Sequence, residues 1–286
     1  MGAYVCAYLK RPAAGIFSSI LLLLALPAEA HHPGGGGNTG SGGPINTISA
    51  DTLAEGLIAA SVRYEFIRMG QLSDADLLAA AAKGTHAHSL RSIDAVSLSV
   101  AYGITNDFTV GVRAAGVRRS DIREPGEDML SGGHMGMMSS NDVSGLMSPD
   151  GVNRRGNSAG FGDVTMLGQY RFHNNAQNGT SAAVLFGFKA PTGSTSQRDN
   201  FGQLFEAEFQ PGSGSWDGMF GAAFSQRLTP ALSFHANILA IATGTGSQET
   251  NLGNRFLYNG ALSYRLFGET ASEPHSHDAR DAFAHA

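Results

Sequence analysis

Segments of about ten residues along this chain alternate between apolar side chains and small or polar ones, and the polar face is too small-featured to build a core of its own. In 95–104, Val96, Leu98, Val100, Tyr102 and Ile104 alternate with Ala95, Ser97, Ser99, Ala101 and Gly103. Successive side chains of a strand point to opposite faces, so a period of two reads as a strand and assigns each residue a side. The same period recurs in 57–67, 108–116, 163–172, 182–190, 216–227, 232–242 and 255–267, which makes eight readable strands. The alternation predicts that Leu98, Val110, Phe186 and Phe234 face one way, away from the small and polar set.

A soluble sandwich would also alternate, so the connections matter. They run long, short, long, short: 68–94, 117–162, 191–215 and 243–254 are long, whereas Thr105–Asp107, His173–Ser181 and Leu228–Ala231 are short. Outer-membrane barrels join their strands in that order, with short periplasmic turns and long external loops. Aromatic residues near strand ends, Tyr64, Phe66, Tyr102, Tyr170, Phe172, Trp216, Phe256 and Tyr264 among them, suit interfacial girdles. Only 15% of residues are charged and 38 are Gly, against about a quarter charged and 7% Gly in an average soluble chain. The net charge of −5 gives no reason to invoke nucleic acid. The expected fold is therefore all-β, an antiparallel transmembrane β-barrel over 55–268, with one short helix in 72–84 capped by Ser73.

The flanks read differently. Lys10 and Arg11, an apolar run from Ile16 to Leu26 and the small-x-small site Ala28-Glu29-Ala30 predict a signal peptide over 1–30, cleaved after Ala30. That run is too short to cross the hydrocarbon as a helix. The single cysteine, Cys6, would leave with it, so no disulfide is expected. Residues 31–54 open with HHPGGGGNTGSGGP and read as a flexible Gly-rich N-terminus, and 269–286 read as a His-rich tail or interrupted turn. The expected location is the outer membrane of a Gram-negative cell, with membrane lipid, the outer-membrane insertion machinery and a small-molecule solute as partners.

Three stretches carry a resemblance: Phe161-Gly162-Asp163-Val164 through Tyr170-Arg171-Phe172; Gly187-Phe188-Lys189-Ala190-Pro191-Thr192-Gly193; and Gln210-Pro211-Gly212-Ser213-Gly214-Ser215-Trp216-Asp217 with Asn254-Arg255-Phe256-Leu257-Tyr258 and Leu262-Ser263-Tyr264-Arg265. Together they are similar to the outer-membrane family named for the MetA pathway of phenol degradation, over roughly 160–266. The resemblance implies a barrel with a transport role for apolar compounds and supplies no catalytic motif. It also implies further strands, twelve or more in all, ending in Phe or Trp. This chain ends Ala284-His285-Ala286, so either it is truncated before its closing strands, as the resemblance implies, or it closes with eight strands and a periplasmic tail.

Within such a barrel the inward faces carry Arg63, Arg113, Asp163, Arg171, Lys189, Arg255 and Arg265, with Arg227 and Glu65. These are the candidate lumen-lining residues, a positively biased wall that would concentrate anions or orient polar ends of solutes, or else ion pairs that fill a narrow interior. Gly156-Asn157-Ser158-Ala159-Gly160 matches a nucleophile-elbow string, but a polar loop precedes it and a strand follows, so no enzyme is expected. His134, Met135, Met137 and Met138, with His275 and His277, form soft and imidazole clusters suited to copper or zinc, as does the pair His86 and His88. Three functions follow from these readings: passive transport of small aromatic or apolar solutes without a cofactor, metal handling through the His/Met-rich loops, or a structural or adhesive barrel without a pore.

Overall fold

The computed structural model describes residues 46–85, 87–126 and 151–266. Nine strands form one antiparallel sheet curled into a half-barrel: β1 (Ile58–Arg68), β2 (Ser92–Thr105), β3 (Phe108–Pro125), β4 (Val152–Phe161), β5 (Val164–Asn175), β6 (Thr180–Ala190), β7 (Asp217–Arg227), β8 (Leu232–Thr243) and β9 (Arg255–Tyr264). Sequence neighbours are sheet neighbours except β4 and β5, which both pair with β3, and β1 and β9 are the two edges of the path among the described residues. β4 and β5 share one line along β3: Phe161 faces Gly116, Thr165 faces Arg113, and Gly162-Asp163 interrupt the run. The sheet thus has eight staves, the eight readable strands, with a ninth strand inside one of them.

That ninth strand lies in what reads from sequence as the long connection 117–162. β3 continues to Pro125, well past Gly116, and β4 returns along it. The alternation fails there because the hairpin is polar, with Arg118, Arg119, Arg123, Arg154 and Arg155 in its two arms. A bulge at Asp121, whose φ is +57°, shifts the register between Arg119 and Ile122. Ser158 falls mid-strand in β4, so the Gly156–Gly160 string forms no strand-turn-helix elbow. The helix α1 (Asp74–Ala82) forms where expected, with Ser73 Oγ accepting from the Asp76 N–H.

The two faces are sorted as the period dictates. Val96, Leu98, Val100, Tyr102 and Ile104 are exposed, and Ser97, Ser99, Ala101 and Gly103 between them are buried. Phe186, Phe220, Phe224, Ile238, Phe256 and Leu262 continue the exposed apolar side on later staves. Phe234 alternates with buried His235, and Val110 with buried Thr109, so both lie on that side too.

The inner face is covered by the chain's own N-terminal segment. Residues 47–57, expected as flexible up to 54, cross it as a strap. The Ile48 N–H donates to Asn237 Oδ1 on β8 (2.9 Å) and the Ala50 N–H to Ser225 Oγ on β7 (2.9 Å). Gln169 Nε2 on β5 donates to the Ser49 and Asp51 carbonyls (2.9 and 3.0 Å), and the Leu53 N–H donates to Thr109 Oγ1 on β3 (2.8 Å). Ile48 and Ala50 join Leu167, Ala183, Leu185, Leu239 and Ile241 in one buried cluster. The Gly-rich stretch 31–45, the Met-rich segment 127–150, His86 and the tail from 267 lie outside the described residues, and with them His134, Met135, Met137, Met138, His275 and His277.

Candidate functional site

A recess of about 120 Å³ opens on the inner face against the connections that carry Pro211 and Leu252, walled by Arg113, Asp163, Lys189, Asp217 and Arg255. Each arrives on a different piece of the sheet. Lys189 closes β6, Asp217 opens β7 opposite it in register, Arg255 opens β9, Arg113 lies on β3, and Asp163 sits at the break between β4 and β5. Lys189 Nζ lies 2.8 Å from Asp217 Oδ2 and 3.2 Å from Asp163 Oδ2. Arg255 Nη2 stands 3.6 Å from the same Asp217 oxygen. The Asp217 carboxylate is 0% exposed, so two cations flank it in place of water.

The 191–216 connection folds down to complete the site. Asp163 accepts from the Gly193 N–H (2.9 Å), the Ser213 N–H (2.8 Å) and the Ser213 hydroxyl (2.7 Å). The Ser215 hydroxyl donates to Asp217 Oδ1 (2.7 Å), and Lys189 also donates to Ser213 Oγ. Gly193 and Gly212 touch backbone to backbone, and a Cβ at 193 would meet Gly212 Cα at 2.6 Å, so glycine there lets the loop seat on Asp163. These contacts give the Gln210–Asp217 motif a physical role: it holds both recess carboxylates by short serine donors.

The structure brings Arg113, Asp163, Lys189 and Arg255 of the predicted set together. Arg63 stands on β1, 3.8 Å from Glu65. Arg171 and Arg265 lie at the short-turn end instead. Arg171 Nε and Nη2 both donate to Asp107 Oδ1 (2.9 and 2.7 Å), and Arg265 borders a shallow pocket with Arg227 and Leu228. Ser213, Ser215 and Gly193 carry no chemistry of their own in the sequence; only their neighbourhood to Asp163 and Asp217 gives them a role. With Arg119, which also lines the recess, four cations face two carboxylates and leave its wall positively biased.

At the long-loop end a second polar network ties the connections together. Asp74 on α1 pairs with Arg123 and with Arg154 (2.8 Å). Arg155 bridges Glu124 and Asp199 (2.8 Å to the latter), both almost fully buried. Arg119 donates to the Phe209 and Gln210 carbonyls (3.4 and 3.1 Å). His88 stands against Glu124, Glu206 and Glu208, while its expected partner His86 lies outside the described residues. Burial works against its charged form, but Glu124, Glu206 and Glu208 outweigh that and raise the imidazole pKa. Glu206 is also raised, first by burial and then by Glu124 and Glu208, with His88 and Arg155 opposing.

Residues 127–273 match the model of a family described as "Putative MetA-pathway of phenol degradation". Among solved structures, an outer membrane channel from Pseudomonas putida F1 is similar at 16% identity, with 76% of this chain and 69% of that one covered and a TM-score of 0.43. No curated protein matches the chain.

Proposed function

The chain belongs to the MetA-pathway phenol-degradation family, and from that premise we propose that it is an outer-membrane β-barrel protein through which small aromatic or apolar solutes diffuse passively. The observation that carries this is the facing of the sheet. Staves expose Leu98, Phe186, Phe220, Ile238 and Leu262 to the outside, while Ser97, Ser99, Thr109, Gln169, Ser225 and Asn237 are buried on the inner side alongside Leu167, Leu185 and Leu239, so polar side chains go inward where a soluble sheet would turn them to water. An outward apolar band with a polar interior is what a membrane barrel needs. Exposed aromatics lie in two rows, Tyr102, Tyr170, Phe172 and Tyr264 toward the short turns and Tyr64, Phe66, Trp216 and Phe256 toward the long loops, as interfacial girdles would. The 18 residues of β3 come to about 60 Å at about 3.3 Å each, far beyond a band about 25 Å tall, so its polar half belongs outside the membrane.

The recess supports a solute with a polar or anionic end. Arg113, Lys189 and Arg255 would orient an oxygen acceptor while the small inner residues admit a flat apolar body. Export through a leader ending at Ala30 and insertion by the outer-membrane assembly machinery complete the proposal. The full chain reconstituted in a planar bilayer should give discrete conductance steps with a modest anion preference, and Arg255→Glu should move the reversal potential toward cations. Liposomes carrying it should swell faster in small aromatic carboxylates than empty ones. A chain recovered mainly as soluble periplasmic protein, or silent in both assays, would overturn the proposal.

A further inference from the structure

Away from the recess, the long-loop end gathers a group of donors that the transport reading does not use. His88 Nε2 lies 3.6 Å from Glu206 Oε2 and 3.7 Å from Glu208 Oε1, and the donor atoms of the three residues all lie within 4.8 Å of one another. His88 comes from the connection between β1 and β2. Glu206 caps a single 3-10 turn, Ala207–Phe209, and Glu208 lies within it, in the connection between β6 and β7. We propose that His88, Glu206 and Glu208 form a binding site for a first-row divalent cation of the zinc class that clamps these two connections together.

The distances suit such an ion. Ligand bonds of about 2.0–2.2 Å in a tetrahedron put donor atoms about 3.3 Å apart, a few tenths from the separations to His88. Imidazole with carboxylates is a borderline donor set that zinc accepts. With His88 neutral the three donors carry two negative charges, which a divalent cation balances. Three protein ligands leave a fourth position for water.

A second, independent observation points the same way. Glu124 has a side chain only 7% exposed, and its Oε1 turns toward His88 Nδ1 at 3.4 Å without a hydrogen bond to any described residue. Its other oxygen accepts from Arg155. Glu208 Oε1, also buried, likewise lacks a hydrogen-bond partner among the described residues. Ligating histidines commonly donate their remaining ring N–H to a carboxylate, which fixes the tautomer and leaves the other nitrogen free for the metal. Glu124 stands where that carboxylate belongs. The Phe209 ring, edge-on to the imidazole at 5.2 Å, holds its plane, and the half-exposed Glu206 gives an ion a way in from solvent.

The test uses the full chain, folded in detergent, stripped with chelator and titrated with Zn²⁺ against a competing indicator. His and Met clusters elsewhere in the chain can bind zinc as well, so the readout is the difference between variants. The double variant Glu206→Gln/Glu208→Gln should lose one zinc equivalent, and Glu124→Gln should weaken that equivalent about 10–100-fold. Both substitutions preserve shape, and heat-modifiable gel mobility reports that the barrel has formed. Should either variant fail to form it, Co²⁺ added to the unaltered chain should give the visible absorption of a four-coordinate N/O site that Zn²⁺ displaces. Unchanged zinc stoichiometry and affinity in the folded double variant, or no such absorption in the unaltered chain, overturns the proposal. Conductance plays no part in the readout, so failure here leaves the transport proposal untouched.

Discussion

The two ends of the sheet are held in opposite ways. Toward the short turns the inner face meets a strap through neutral hydrogen bonds and small apolar contacts: Asn237, Ser225, Gln169 and Thr109 reach its backbone while Ile48 and Ala50 fill between Leu185 and Leu239. Toward the long loops the ties are charged: Arg123 and Arg154 on Asp74, Arg155 on Glu124 and Asp199. A segment lying flat on the sheet can be gripped by short side chains, because its backbone is already within reach. Loops that rise from separate staves must be bridged across space, and long side chains span it, arginines above all, with Gln248 and Gln71 also reaching across. The first arrangement needs no buried ion pair; the second buries charge and depends on every partner being present.

The largest expected effect lies in the charged end. Arg155 neutralises two carboxylates, one 7% and one 0% exposed, so Arg155→Ala strands both. Removing one partner of a buried ion pair costs about 3–5 kcal/mol, mostly through the charge left behind. Urea unfolding of the detergent-folded chain should show a loss of that order, with little dependence on salt because buried pairs are weakly screened. A loss below about 1 kcal/mol would mean the network behaves as an exposed one and the contrast between the ends is false.

The strap offers the next test. Gly56 N–H donates to the Gly103 carbonyl and Gly103 N–H to the Leu57 carbonyl, each 2.9 Å, where the strap leaves the inner face. A Cβ on Gly103 would run into the carbonyl oxygens of Ala54 and Leu53. Gly103→Ala should therefore cost about 1–3 kcal/mol, as overpacking does. It should also raise bilayer conductance by loosening the strap over the inner face. Deleting 46–54 removes the clash, so the cost of Gly103→Ala should vanish in that background; a cost that persists would place it in the β2–β3 turn instead.

What could be read beforehand follows the same divide. The stave count, the facing of Leu98 and Phe186, the alternation of connections and helix α1 all rest on local periodicity or capping, which single residues carry. The strap could not be read, since the alternation of Thr47-Ile48-Ser49-Ala50 lasts only four residues beside a Gly-rich stretch and its place comes from the sheet it lies on, where Asn237, Ser225 and Gln169 reach its backbone. The β3–β4 hairpin was hidden because its side chains meet loops and each other, so no apolar face marks it. At the recess Asp163, Lys189, Arg113 and Arg255 were readable as inward charges, but their partners were not. Asp163 and Ser213 lie fifty residues apart, and nothing short of the fold brings them within 2.7 Å.

The smallest effect is the sharpest discriminator, because it separates position from burial. Arg171 and Asp107 form an ion pair in the neutral half, at the β2–β3 turn, with Arg171 also donating to the Asn106 carbonyl at 2.8 Å. Asp107 is 54% exposed, so its carboxylate keeps its water when the arginine is gone. Exposed pairs contribute about 0–1 kcal/mol and weaken with salt, most at 1 M, where the screening length falls to about 3 Å. Arg171→Ala should thus destabilise the chain by no more than about 1 kcal/mol, and the difference should shrink further in 1 M salt. The Asn106 carbonyl also accepts from the Thr52 hydroxyl at 2.6 Å, so the turn keeps its tie to the strap in the variant. If Arg171→Ala instead costs as much as Arg155→Ala, then burial is not what distinguishes the two ends, and the short-turn half relies on charge as heavily as the loops do.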